Sequence, residues 1–372
     1  MSVSLPIPFY DLNRVHYPLK QDFMQVASEV LDNNAYVLSS YLHQFETEFA
    51  SFCSTAYAIG VGNGYDALFL SLKALGIGPG DEVLVPAHTF IATWMAVSAT
   101  GARPVPVDAN KASWNIDLNR VEEKWSSKTK LIVPVHMYGL MCDMEGLDSL
   151  ARQKGIGVME DYSQAQGARC RGKMAGSWGQ VNAASLYPGK NLGALGDAGI
   201  VTTQSPDIAK AIYRLRNYGS DQKYHHEEWG VNSRMDGLQA GILSVKLKHL
   251  VEWNTERKIL AAQYQQGLEG IQEVQFQQVD DWQESVYHQM VILVPDRDHL
   301  QHFLVEKGIQ TGIHYPIPIH LQPAYSGMGW KAGDFPVSEY IARHCLSLPM
   351  YPGLSKEEVA YVCESIISYF KK

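Results

Sequence analysis

The sequence predicts an α/β fold built on a mostly parallel sheet. Two observations predict it. Apolar runs of strand length alternate with runs of helical period, and turns rich in glycine and proline separate them. Residues 20–33 come first, with Phe23, Met24, Val26, Ala27, Val30 and Leu31 at helical spacing. Residues 41–52 repeat that pattern, and a third helix near 65–75 follows a glycine-rich turn. The run GIGPGD then breaks the chain before the strand EVLVP. LIVPVHM at 131–137 is the next strand, followed by a helix near 145–154 and a strand at 156–160. Further strands are expected near 181–187 and 199–203.

Residues 238–268 read as one long helix or two, with charges interspersed, connecting two domains. Beyond them come the strand-like YHQMVILV, a helix near 298–307, the loop HYPIPIHLQPAY and a closing amphipathic helix. The expected division is 1–252 and 253–372. In a parallel sheet, ligands bind past the carboxyl ends of the strands. Asp161 stands at one such end and Lys190 just past another.

Composition narrows the function. The 372 residues are 46% hydrophobic and 19% charged, an ordinary globular balance. A net charge of −8 argues against general nucleic-acid binding, which needs a cationic face. No stretch has the apolar length of a membrane span, and MSVSLPIPFYDLNRV lacks the layout of a secretory signal. Five widely spaced cysteines without a C-x-x-C pair fit reduced thiols in a cytoplasmic protein. The histidines form no H-E-x-x-H arrangement, so no metal is expected.

Four local features carry chemistry. Gly60-Val61-Gly62-Asn63-Gly64-Tyr65-Asp66 opens a helix, where backbone N–H groups can face an anion. Its spacing is not that of a dinucleotide fingerprint. Glu160-Asp161-Tyr162-Ser163-Gln164 ends an apolar strand, and a carboxylate there can favour a protonated pyridine nitrogen. Ser185-Leu186-Tyr187-Pro188-Gly189-Lys190 sets one lysine among turn residues; a partly dry lysine has a lowered pKa and can condense with an aldehyde. A P-loop is excluded, because Ala184 stands where its first glycine belongs and Asn191 replaces its Ser/Thr. Phe90, after the strand EVLV, can stack on a flat ring. Taken singly, each feature also suits a plain role: a tight loop, a helix cap, a solvated lysine, a core aromatic.

Their order and combination decide. GVGNGYDAL, PAHTFIAT, EDYSQAQGA, SLYPGKNLGALGDAG, NYGS and VNSRMD resemble the sugar aminotransferases of the DegT/DnrJ/EryC1/StrS family, and the likeness runs over nearly the whole chain. The resemblance implies the fold-type-I architecture of pyridoxal 5'-phosphate (PLP) enzymes. That fold has a large domain with a mostly parallel seven-stranded sheet and a smaller C-terminal α/β domain. It also implies a homodimer with shared active sites.

By the same resemblance, Lys190 carries the cofactor, Asp161 pairs with its ring nitrogen, Gln164 lies near its phenolic oxygen and Phe90 stacks on its ring. Gly64 and Ser185 match phosphate contacts, as does Asn232 from the partner subunit. Tyr65 departs from the usual threonine of the turn and is expected to offer mainly its N–H. Tyr187, His314 and Tyr315 match positions facing a hexose, and Lys223 a cation reaching a diphosphate from the neighbouring subunit.

The implied reaction moves an amino group from L-glutamate to C3 of a dTDP-3-keto-6-deoxyhexose, gluco or galacto. The alternatives are a UDP-linked 3-keto sugar, a C4-keto sugar, or a silent nucleotide-sugar-binding protein. A sugar 3-dehydratase of the family has histidine where Lys190 stands, which disfavours that reading.

Overall fold

The computed structural model describes residues 5–371. Residues 1–4, part of the stretch read for a secretory signal, and residue 372, the end of the expected second domain, lie outside the described residues. Seven strands form the central sheet: β1 (Tyr57–Val61), β2 (Glu82–Pro86), β3 (Arg103–Val107), β4 (Thr129–Ile132), β5 (Gly157–Asp161), β6 (Val181–Ser185) and β7 (Gly199–Thr203). Their order is β1-β7-β6-β5-β4-β2-β3. The five strands from β6 to β3 run parallel; β7 is antiparallel to both β6 and β1.

Alternation along the strands builds two cores. Leu84, Ile132, Val158 and Ala184 face one side, with helices Ser40–Cys53 and Met144–Lys154 over them. Val83, Val85, Leu131 and Met159 face the other, under helices Gly64–Ala74 and Ile91–Ala99. The expected strand at 131–137 stops at Ile132, before Pro134, which has no N–H to donate. The chain still runs on beside β5, because Asp161 N–H donates to the Pro134 carbonyl at 2.9 Å.

The edge strands β1 and β3 carry no strong sequence signal. In β3, RPVPV, the Arg103 N–H points at Asp81 on the β2 side at 2.9 Å. Pro104 and Pro106 are one residue out of phase, so their donorless nitrogens face the open edge, where proline costs no ladder bond.

The run 238–268 is two helices, Gly237–Leu247 and Leu250–Gly267. The second crosses residue 252: Leu250 packs in the first core, whereas Leu260, Ala261 and Tyr264 pack in another. That further core gathers Ile7, the strands Met290–Leu293 and Cys345–Leu348, and the helix Lys356–Phe370. Among the described residues no helix is long and apolar enough to cross a membrane.

Candidate active site

The carboxyl ends of β4, β5 and β6 open onto a cavity of about 740 Å³. Gly64, Tyr65, Phe90, Asp161, Gln164, Ser185, Tyr187, Lys190, His314 and Tyr315 all line it. Lys223 and Asn232 do not. Lys223 sits on an exposed turn between the short strands Ser220–Gln222 and His225–His226, with Nζ 5.1 Å from the Tyr224 ring centre. Asn232 is exposed nearby and bridges to Asn217.

Asp161 is the last residue of β5 and is 4% exposed. Its Oδ2 accepts from Thr93 Oγ1 at 3.0 Å, and its Oδ1 from the Ser163 N–H at 3.2 Å. No lysine, arginine or histidine pairs with it among the described residues. A buried carboxylate without a cation is costly, so this arrangement suits a ligand that brings one.

Lys190 lies in a tight loop whose turn is closed by its own N–H on the Tyr187 carbonyl at 2.8 Å. Burial lowers its pKa from 10.5 to about 8, while the Asp161 charge acts in the opposite direction. Near neutrality a useful fraction of this amine is therefore uncharged and nucleophilic.

Gln164 has its orientation fixed from behind. The Tyr138 N–H donates to Gln164 Oε1 at 2.7 Å, which turns the Nε2 amino group toward the pocket, 3.5 Å from the Tyr315 hydroxyl. Phe90 is half-exposed at the rim, its ring centre 5.4 Å from that of Tyr315.

An anion cradle lies beside them. Asn63 caps the helix Gly64–Ala74 by accepting from the Asp66 N–H at 2.8 Å, which leaves the N–H groups of Gly64 and Tyr65 without helical partners. A Cβ on Gly64 would stand 2.4 Å from Ser185 Cβ, so only glycine lets the helix start approach Ser185 this closely. The Ser185 N–H donates to Ser163 Oγ at 2.9 Å, and its own hydroxyl accepts from the Tyr187 N–H at 3.2 Å. That leaves the Ser185 hydroxyl proton available to a ligand.

These features fit PLP: an amine with lowered pKa, an unpaired buried carboxylate, an amide donor, an aromatic face and a helix start with free N–H groups beside a serine hydroxyl. Four contributors escaped the sequence reading. Thr93 lies in PAHTFIAT, and its spacing of four residues from Thr89 is the available signal. Tyr138 sat in VHMYG, but its left-handed backbone (φ 61°) has no signature in a tyrosine. His288 and Phe9 come from remote segments, and nothing local marks them.

The fold and the cavity together define an aminotransferase that works with PLP. The chain belongs to the DegT/DnrJ/EryC1/StrS aminotransferase family, whose description matches residues 18–367. It is 45% identical over 365 residues to the dTDP-3-amino-3,6-dideoxy-alpha-D-galactopyranose transaminase of Aneurinibacillus thermoaerophilus, covering 98% of this chain and 99% of that one. It is 44% identical over 360 residues to the dTDP-3-amino-3,4,6-trideoxy-alpha-D-glucose transaminase of Streptomyces venezuelae, covering 97% and 95%. Among solved structures, S. venezuelae DesV in complex with a ketimine intermediate superposes with a TM-score of 0.97 at 43% identity, over 99% of this chain and 100% of that one.

Proposed function

We propose that the enzyme transfers an amino group from L-glutamate to C3 of a dTDP-linked 3-keto-6-deoxyhexose, and that it works as a homodimer with shared active sites. The observation that carries the reaction is that Lys190 lies in the same cavity as the unpaired carboxylate of Asp161, where burial lowers the pKa of its amine to about 8. The sugar assignment leans on the two dTDP-sugar transaminases that cover almost the whole chain.

PLP, when bound, supplies an aldehyde and a conjugated ring that takes up the electron pair left by a departing proton. The chain's residues do the rest. Lys190 Nζ holds the cofactor and then, as a free amine, takes the proton from the donor's α-carbon. Asp161 keeps a proton on the ring nitrogen. Gln164 Nε2 would donate to the phenolic oxygen, and Phe90 would cover one ring face. The N–H groups of Gly64 and Tyr65, with the Ser185 hydroxyl, would hold the phosphate. Tyr187, His314 and Tyr315 face the hexose.

The dimer accounts for a shortage of charge. Among the described residues Lys190 is the only lysine or arginine lining the cavity, yet the phosphate and a nucleotide diphosphate must both be neutralised. In this reading the partner subunit brings its own copies of Asn232 and Lys223 to the phosphate and the diphosphate. Tyr224 and Trp229, 84% and 94% exposed on the same segment, would be covered there. We also take 1–252 as the domain that holds the cofactor and 253–372 as the smaller one. A cytoplasmic location belongs to the same proposal, since nucleotide sugars are made there.

The test is to load the enzyme with its amino form and offer dTDP- and UDP-linked keto sugars. The expected result is turnover of the dTDP-linked 3-keto sugar. Turnover of only a 4-keto sugar overturns the C3 assignment. A sample that takes up no PLP favours the silent binding protein.

A further inference from the structure

His314 lines the cavity beside the reacting groups, and its two ring nitrogens have different surroundings. Its Nδ1 lies 2.9 Å from Ser347 Oγ. Ser347 is completely buried, and its hydroxyl donates to Gln289 Oε1 at 3.2 Å. A hydroxyl has one proton. Since that proton is committed to Gln289, Ser347 Oγ can only accept from His314, so Nδ1 carries the imidazole hydrogen.

The rest of His314 is held as firmly. Its carbonyl accepts from the Tyr138 hydroxyl at 2.5 Å. Having spent its proton there, the Tyr138 oxygen accepts from His88 Nε2 at 2.8 Å. The Phe9 ring stacks on the imidazole, with centres 5.6 Å apart and planes inclined by 23°. Burial and the charge of Lys190 lower the His314 pKa to about 4, so the ring is neutral and carries a single hydrogen. Its Nε2 has no hydrogen-bond partner among the described residues, and it is not one of their sealed, orphaned atoms. His314 lines the same cavity as Lys190.

We propose that Ser347 and Gln289 are positioning residues that lock His314 as its Nδ1–H tautomer, so that the pocket presents Nε2 as an acceptor to a sugar hydroxyl next to the carbon being aminated. The inference deepens the reading of the site as a keto-sugar pocket and rests on it. An acceptor at this point selects a substrate bearing a hydroxyl and gives nothing to one deoxygenated there. It gives nothing to an ether or carbonyl oxygen either, since neither can donate.

The experiment is performed on the PLP-loaded enzyme, with histidine labelled by 15N and His314 assigned by loss of its signals in His314→Asn. The expected spectrum has a protonated-type Nδ1 and an unprotonated-type Nε2 for His314 in the wild type. Ser347→Ala and Gln289→Met should each shift it toward the other tautomer, the first by removing the acceptor and the second by freeing the Ser347 proton. In kinetics, both should raise KM for a 3-keto sugar bearing the neighbouring hydroxyl about tenfold, the worth of one hydrogen bond. They should leave kcat, and the half-reaction with the amino donor, little changed. The same variants should not alter KM for the analogue deoxygenated at that carbon.

A wild-type spectrum with hydrogen on Nε2 overturns the proposal, as does an equal KM change for the two sugars. The tautomer is read without any sugar present. A wrong substrate assignment would therefore show as absent turnover beside an intact Nδ1–H signal, and the two failures are distinguishable.

Discussion

Thr93 Oγ1 donates to Asp161 Oδ2 at 3.0 Å and receives a hydrogen bond from Thr89 Oγ1 at 3.1 Å, so two threonines one helical turn apart point a single proton chain at the buried carboxylate. In the proposed mechanism the pair steadies the charge that Asp161 offers to the ring nitrogen. Thr93→Val should leave Oδ2 without this donor and cost about 1 kcal/mol of transition-state stabilisation, about a fivefold loss in kcat/KM. Thr93→Ser should keep most of the activity. Steady-state rates for the two variants check this, and equal losses would mean that packing, not the hydroxyl, is what matters.

Asp161→Asn tests the charge itself. The amide oxygen can still accept from the Ser163 N–H, so the fold should hold. The negative charge is lost, and with it the preference for a protonated ring; transamination should fall on the order of a hundredfold or more. The same charge currently raises the Lys190 pKa against the effect of burial. Its removal should move Lys190 below about 8, seen as a downward shift in the pH profile of PLP uptake by the stripped enzyme.

Lys190 should also leave a mark on stability. In the stripped enzyme its pKa is about 8, against 10.5 ordinarily. Between those values the unfolded chain binds the extra proton, so folding stability rises with pH across that window. Below pH 8 the cost of the buried charge is present in full, on the order of 2 kcal/mol after allowance for the lysine's access to the pocket. Lys190→Met should therefore raise the melting temperature of the stripped enzyme at pH 7. The advantage should shrink toward pH 10.5. The same variant should be inert in transamination, and a variant that turns over like wild type would remove Lys190 from the mechanism.

What the sequence made legible follows from how local each signal was. Asp161 and Lys190 could be placed because a strand end and a tight turn are written in a few consecutive residues. The parallel strands β2 and β5 were readable as apolar runs for the same reason. Pro104 and Pro106 hid β3, since its edge position, which makes them harmless, is a property of the whole sheet. Tyr138 was unreadable in role because its partners Gln164, His88 and His314 are 26, 50 and 176 residues away in sequence. Ser347 and Gln289 reach the proposed role through His314, and a serine in an apolar strand has no local sign of that duty.

The start of the helix Gly64–Ala74 offers the sharpest steric test. A Cβ at position 64 would lie 2.4 Å from Ser185 Cβ and 2.8 Å from Ser185 Cα, and the second of these is backbone that cannot swing aside. Gly64→Ala must therefore push the helix start away from β6, at about 1–3 kcal/mol of overpacking. The displaced N–H groups of residues 64 and 65 would then miss the phosphate by a few tenths of an ångström. PLP affinity should fall at least tenfold, measured by equilibrium titration of the visible band, while Lys190 keeps its reactivity toward a small aldehyde lacking phosphate. If affinity for the phosphorylated and unphosphorylated aldehydes fell equally, the helix start would not be the phosphate site, and the loss would have to come from a general loosening of the pocket.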